Sequence, residues 1–357
     1  MKGMEKAGES LFHIVLSSKT EVICRDRHDY IFLENQIGAS ARKSNVSVLA
    51  YAVMSNHAHI AVSCTDTAGL ILRIKSGYTR YFNRKYGRTG PLMTYSYCQV
   101  VRGYLRQRVM ISYILRNPMH HGICETPFQY PFSSISAYFP DALSPSGTKG
   151  TRETHMGHCQ HMDHRDNKGG NDGANRRCTE SMSGRHSTAC KGATSGRQTM
   201  DGQPEEYCIS RDGRKALRLP TDSNGRIELE YLVNAGMVEY LFRTSRNFIH
   251  SMNRWNTEDW EREQANAKIT DGIVSLETAE PTCSHLQKEM RAYENGSFRI
   301  HMTDLELCRY IDRELLPRLT IPSYIHIGNE QKKQIAQTLK DRFHISTEQA
   351  MRCLGGS

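Results

Sequence analysis

The sequence predicts an α+β fold: an antiparallel sheet with helices packed on it. Three observations predict it. Strand and helix signals alternate over roughly residues 11–142, in the order strand, helix, strand, strand, helix, strand, helix. The strand-like runs are short and rich in β-branched and aromatic residues. Two of them are separated only by the turn residues Ser55 and Asn56, as antiparallel neighbours require.

The elements follow in order. Residues 11–16, Leu-Phe-His-Ile-Val-Leu, read as the first strand. A helix comes next, with Asp26 as N-cap, Asp29 three residues on, and Tyr30, Leu33 and Ile37 as its apolar stripe. Residues 46–54 and 57–63 are the paired strands. Asp66 or Thr67 opens a second helix that carries Leu70, Ile71, Ile74, Tyr78, Tyr81 and Phe82 at helical spacing and ends at Gly87. Residues 93–101 form a fourth strand. A third helix runs from about 105 to 117, where Pro118 disfavours continuation.

At 357 residues the chain has room for two or three domains. Its net charge of +9 suits a nucleic-acid partner, and a membrane surface would fit the same charge. No apolar run could span a bilayer, and the first ten residues carry glutamates without an apolar stretch, so neither a membrane protein nor a signal peptide is expected. Eleven cysteines without a C-x-x-C pair form neither a disulfide framework nor a zinc ribbon. The expected setting is the cytoplasm.

Four segments are expected: a strand-and-helix domain over 1–142, a low-complexity stretch over 143–205, a helical middle region with a polar acidic linker over 206–300, and a helical C-terminal domain over 301–357. Gly, Ser, Thr, Asn, His and Arg dominate the second, which cannot bury enough apolar area to order itself. Its histidines and Cys159 match no closed tetrahedral zinc site. In the middle region, 231–249 reads as helical, with Leu232, Val238, Leu241 and Phe242 as core candidates, and 257–280 as the acidic linker. Near the C-terminus, Thr303-Asp-Leu-Glu306 and Ser346-Thr-Glu-Gln349 are capping boxes, and 330–343 is amphipathic. The short turn at 344–346 suits either a helix-turn-helix that offers Arg352 to DNA or a three-helix mini-bundle used for packing.

Chemistry concentrates in Tyr51-Ala-Val-Met-Ser-Asn-His-Ala-His-Ile-Ala-Val62. Residues two apart on a strand share a face, so His57 and His59 can share one ion. Between Asp66 and Glu125 there is no carboxylate, while Arg73, Lys75, Arg80, Arg84, Lys85, Arg88, Arg102, Arg106, Arg108 and Arg116 fill the interval. Tyrosines such as Tyr78, Tyr81, Tyr86, Tyr95 and Tyr97 are interleaved. An unopposed basic run implies a polyanion, and the tyrosines suit stacking on unpaired bases. On the third helix Tyr113 and Asn117 lie four residues apart, on one face. An Asn carbonyl can join two imidazoles around a hard divalent cation, and a phenol is an acidic enough hydroxyl to attack phosphorus. Tyr113 also suits a core position.

These residues carry a resemblance. Met54-Ser-Asn-His-Ala-His-Ile-Ala-Val62 resembles the M-P-N-H-x-H-hydrophobic signature of single-tyrosine HUH transposases, the enzymes of the smallest bacterial insertion sequences and their REP-associated relatives. Tyr78-Thr-Arg-Tyr-Phe-Asn-Arg-Lys-Tyr-Gly-Arg-Thr-Gly-Pro-Leu92 is similar to that family's basic second helix and glycine turn. Ser112-Tyr-Ile-Leu-Arg-Asn-Pro-Met-His-His-Gly-Ile123 is similar to its R-Y-I-x-x-N-P-x-x-A-G block, and Tyr130-Pro-Phe-Ser-Ser134 to its Y-P-W-S-S. Three positions depart from the pattern: Ser55 replaces a proline, Met93 stands where a tryptophan often follows the leucine, and 102–106 lacks acidic residues.

The resemblance implies a ferredoxin-like, RRM-like HUH nuclease core. It implies His57 and His59 as metal ligands, Asn117 as the third, Tyr113 as nucleophile, and magnesium or manganese as the ion. The implied reaction nicks single-stranded DNA through a 5′-phosphotyrosine, acting on single-stranded or hairpin DNA as a homodimer. Two alternatives stand beside it: a domesticated DNA-binding protein with little catalysis, and a replication-initiator or relaxase-type nuclease using the same chemistry.

Overall fold

A four-stranded antiparallel sheet organises the N-terminal half, in the order β2-β3-β1-β4. Its strands are β1 (Ser10–Ser17), β2 (Ser47–Val53), β3 (His57–Cys64) and β4 (Tyr95–Val101). Between them run α1 (Arg27–Lys43) and α2 (Ala68–Tyr86), and α3 (Tyr104–His120) follows β4. This is the strand order and alternation of a ferredoxin-like βαββαβ unit with one helix added. The computed structural model describes residues 10–143, 206–211, 214–253 and 302–356, which belong to one compact unit, Met1–Pro145 with Gly196–Ser357. Nearly all of the low-complexity stretch at 143–205 and the acidic linker at 257–280 lie outside the described residues.

The register decides what each sheet face carries. Val15 pairs with His59 and Ser17 with His57 across β1 and β3, while Tyr97 and Tyr95 oppose the same two residues on β4. One face therefore presents His13, Val15, Ser17, His57, His59, Tyr95 and Tyr97. The other presents Ile14, Leu16, Ala58, Ile60, Val62, Val48 and Tyr51, all buried beneath α1 and α2. α3 lies across the histidine face.

Helix ends follow their sequence signals. Asp26 caps α1 in a full capping box with Asp29, and Gly87 ends α2 in the left-handed region at φ 69°. Pro118 does not end α3, which continues to His120. Proline removes only its own N–H, and the N–H groups of His121 and Ile123 still bond back to the carbonyls of Asn117 and Pro118 at 3.0 Å each. The Tyr130–Ser134 motif closes the open edge of β2: Ser134 N–H donates to the Tyr51 carbonyl at 3.0 Å and Tyr130 Oη to the Val53 carbonyl at 2.6 Å. The short α4 (Pro140–Leu143) follows.

Further along, β5 (Glu206–Arg211) and β6 (Arg214–Pro220) form a two-stranded ladder that the sequence reading did not name. The helical signal at 231–249 resolves into α5 (Leu229–Leu232), α6 (Ala235–Phe242) and α7 (Ser245–Met252). Leu232, Val238, Leu241, Phe242 and Phe248 join the same hydrophobic core as Ile14 and Ile60. Arg226 fastens this segment, reaching Glu34 at 2.7 Å, Tyr51 Oη at 3.0 Å and the Pro131 carbonyl at 2.9 Å.

The C-terminal helices are α8 (Asp304–Tyr310), α9 (Asn329–Phe343) and α10 (Thr347–Cys353), with Thr303 capping α8 in a full capping box. They form a second core around Leu307, Ile311, Leu339, Ala350 and Leu354, which also takes in Val22 from the β1–α1 loop. Arg352, which the sequence reading offered to DNA, donates from Nε to Asp304 at 3.0 Å, and its carbonyl accepts from Val22 N–H at 3.3 Å. Among the described residues no helix is long and apolar enough to cross a membrane.

Candidate functional site

Each predicted site residue is placed by an element already described. β3 begins at His57, so His57 and His59 project from the sheet face under α3, with ring centroids 4.9 Å apart and planes nearly perpendicular. From α3, Asn117 brings its Oδ1 to 3.1 Å from His57 Nε2. One turn earlier the Tyr113 ring meets His59 edge to face, with centroids 5.5 Å apart. Tyr113, Asn117 and His59 are all fully buried. The structure brings all four together.

Three further side chains belong to the cluster. His13 on β1 places Nε2 at 2.9 Å from His59 Nδ1, and its ring lies 6.2 Å from that of Tyr113. Asn56 Oδ1 sits 2.8 Å from His57 Nδ1. His121, just beyond α3, brings its ring to 5.4 Å from His57. The sequence reading missed His13 because its proximity to His59 depends on strand pairing across 46 residues. A histidine inside an otherwise apolar strand was the only local sign of it.

The electrostatics suit a neutral His59. Burial pushes the His59 imidazole down to about 3, so it is uncharged near neutral pH with its lone pair available. With Asn56 accepting from Nδ1, a neutral His57 turns its Nε2 lone pair toward Asn117. The amide then has two good states: Nδ2 donating to Nε2, or Oδ1 and Nε2 sharing a cation. The structure holds the second orientation and leaves the buried Asn117 Nδ2 without a hydrogen-bond partner. Among the described residues no three His, Cys, Asp or Glu side chains form a metal-holding group. The set that fits an ion is therefore two imidazoles and an amide oxygen, a donor set that suits a hard or borderline divalent cation with positions left open.

The basic run divides. Lys85 Nζ lies 2.7 Å from both Asp26 and Asp29, and Arg88 pairs with Glu21. Arg108 donates to Ser251 Oγ at 3.1 Å and stacks over Phe242, and Arg116 is only 1% exposed. These four were expected on a nucleic-acid surface, and the structure turns them to protein partners or into the interior. The interval lacks carboxylates, yet α1 and the loop before it supply Glu21, Asp26 and Asp29 from outside it. Several expected stacking tyrosines are taken the same way: Tyr81 and Tyr86 donate to Asp29 at 3.0 and 2.7 Å, and Tyr78 donates to the Ile23 carbonyl.

Six cations remain as candidates, on opposite sides of the sheet. Arg73, Arg80 and Arg84 are exposed along one face of α2, and Lys75 is half-buried on its opposite flank. Arg102 and Arg106 flank the start of α3, on the histidine side. Tyr95 and Tyr97 stay half-exposed on β4, on the same sheet face as His13 and His59.

Comparisons with known proteins follow from this geometry. No curated protein matches the chain. Among solved structures, a REP-associated tyrosine transposase bound to a REP hairpin is 20% identical with a TM-score of 0.34, covering 42% of this chain and 90% of that one. A family model described as "Transposase IS200 like" matches residues 7–117, a span that begins just before β1 and ends at Asn117. That segment holds His57, His59, Tyr113 and Asn117 and is similar to the IS200-like transposases.

Proposed function

We propose that the chain is a metal-dependent transposase that nicks single-stranded or hairpin DNA and transfers the strand through Tyr113. The observation that carries this is the convergence of a phenol, two imidazoles and an amide oxygen at one buried point beneath α3. His57, His59 and Asn117 would hold the ion. When bound, a magnesium or manganese ion would polarise the scissile phosphate.

The chain's own residues do the rest. Tyr113 Oη attacks phosphorus, its proton is lost, and the bond to the 3′ oxygen breaks. A 5′-phosphotyrosine forms and a 3′-hydroxyl leaves; attack by a 3′-hydroxyl reverses the step and joins strands. His13 and Asn56 hold the two ligand imidazoles by their Nδ1 atoms, fixing which nitrogen faces the ion. Arg102 and Arg106 supply positive charge on the same side, and Tyr95 and Tyr97 offer faces for unpaired bases. Action as a homodimer is part of the same reading.

One observation favours a second reading. Tyr113 is wholly buried, as suits a domesticated protein that binds DNA without cutting it. Incubating the full chain with a single-stranded hairpin and Mn2+ separates the two. Wild type should leave a covalent protein–DNA adduct and Tyr113→Phe none, with binding retained in both. Binding by wild type without any adduct would defeat the enzyme reading.

A further inference from the structure

The turn that delivers His57 is held from outside the nuclease unit. Met54, Ser55 and Asn56 join β2 to β3, closed by the Met54 N–H bond to the His57 carbonyl at 2.7 Å. Asn56 carries the side-chain contact to His57 Nδ1, so any rotation of this turn moves the imidazole. On one side the Ser55 carbonyl accepts from Ile23 and Cys24 at 2.6 and 2.9 Å, and the Asn56 carbonyl from Ser18 at 3.1 Å. On the other, Ser55 Oγ donates to Asp304 Oδ2 at 2.7 Å, a bond spanning 249 residues of sequence.

Asp304 is itself immobilised. It opens α8, is 9% exposed, and accepts from Arg352 Nε and Nη2 at 3.0 and 3.2 Å. The loop that grips the other side of the turn is tied to the same helices. Arg25 Nη1 donates to the Cys353 carbonyl at 2.6 Å, its Nη2 pairs with Asp312 at 2.7 Å, and its guanidinium lies 3.8 Å from the Tyr324 ring centroid. Both walls around Ser55 and Asn56 are thus built on residues 302–356.

We propose that the C-terminal helices are a clamp on the metal site, and that Ser55, held by Asp304, is a positioning residue setting the direction of the His57 imidazole. This rests on the metal reading above and assigns residues 302–356 a role in that site. Serine suits the position because its hydroxyl lets a distant carboxylate dictate the turn. Outer partners of metal ligands commonly alter metal affinity by 10–100-fold; Ser55 acts one bond further out, and about tenfold is the expected loss.

The test is a Mn2+ titration of the full chain, read by paramagnetic broadening of the histidine ring resonances, with thermal unfolding alongside. Ser55→Ala leaves Asp304 paired with Arg352 and should bind Mn2+ about tenfold more weakly at nearly unchanged melting temperature. Ser55→Thr keeps the hydroxyl and should restore affinity, a rescue that a merely space-filling role would not give. Should Ser55→Ala lose its fold, Ser55→Cys, which keeps the volume and weakens the bond, is read by the same titration. Wild-type affinity in Ser55→Ala or Ser55→Cys would overturn the clamp and leave the metal reading standing. Absence of broadening in wild type would overturn both.

Discussion

Arg25 tests whether the C-terminal helices and the β1–α1 loop are one energetic unit. Its side chain is fully buried, bonded to Asp312 through Nε at 3.1 Å and Nη2 at 2.7 Å, and to the Cys353 carbonyl at 2.6 Å. Arg25→Met keeps apolar bulk against Tyr324 but strands the Cys353 carbonyl, which costs about 1–3 kcal/mol. It also removes a desolvated cation–π contact worth up to about 2 kcal/mol, part of which a thioether recovers. The abandoned Asp312 is 31% exposed and rehydrates, so its charge adds little. The sum is about 2–4 kcal/mol. Asp312→Ala does the opposite, leaving a buried guanidinium with one carbonyl and one ring face, and breaking a buried pair from that side costs about 3–5 kcal/mol. Urea unfolding followed by circular dichroism should therefore rank Asp312→Ala at least as damaging as Arg25→Met. The double variant should lie within about 0.5 kcal/mol of Arg25→Met, because the carboxylate has nothing left to lose. A loss under about 1 kcal/mol for Asp312→Ala, or purely additive losses, would refute the reasoning.

Asp304 predicts an acid limb. Burial alone would raise its carboxyl, but the Arg352 guanidinium and the hydrogen bonds from Arg352, Ser55 and Gln349 outweigh burial and hold it below the ordinary 3.8. A depressed carboxyl stabilises the fold above its unfolded value, and that stability is lost as pH falls below about 4 through the folded value. Asp304→Asn should flatten the pH dependence of stability in that window, and an unchanged limb would count against the pairing. Among the basic residues, Arg102→Gln should reduce the salt slope of single-stranded DNA binding by about 0.7, one phosphate contact. Arg116→Gln, buried in α3, should lower the melting temperature and leave that slope alone.

The local grammar of this chain was readable without coordinates. Asp26 with Asp29, Gly87, and Thr303 with Glu306 mark helix ends through bonds made within a few residues, so they appear where the sequence places them. The histidine pair and the Tyr113–Asn117 spacing share faces by the periods of strand and helix, and both point into one site. Charge was less legible. A run without carboxylates looked wholly available to a polyanion, and only packing showed that Asp29 on α1 gathers Lys85, Tyr81 and Tyr86 from across the helix pair.

What the amino-acid order determined by itself is whatever depends on short-range periodicity: the strands, the helices and their caps, and the residue types able to hold an ion beside a phenol. Tertiary structure alone decided which distant groups meet. The pairing of β1 with β3 set His13 against His59, the fold of α1 paired Lys85 with Asp29, and α8 placed Asp304 under Ser55. Such contacts span tens to hundreds of residues, and no local period encodes them. They exist because burying a chain into compact cores leaves each buried polar group only the partner that the packing delivers.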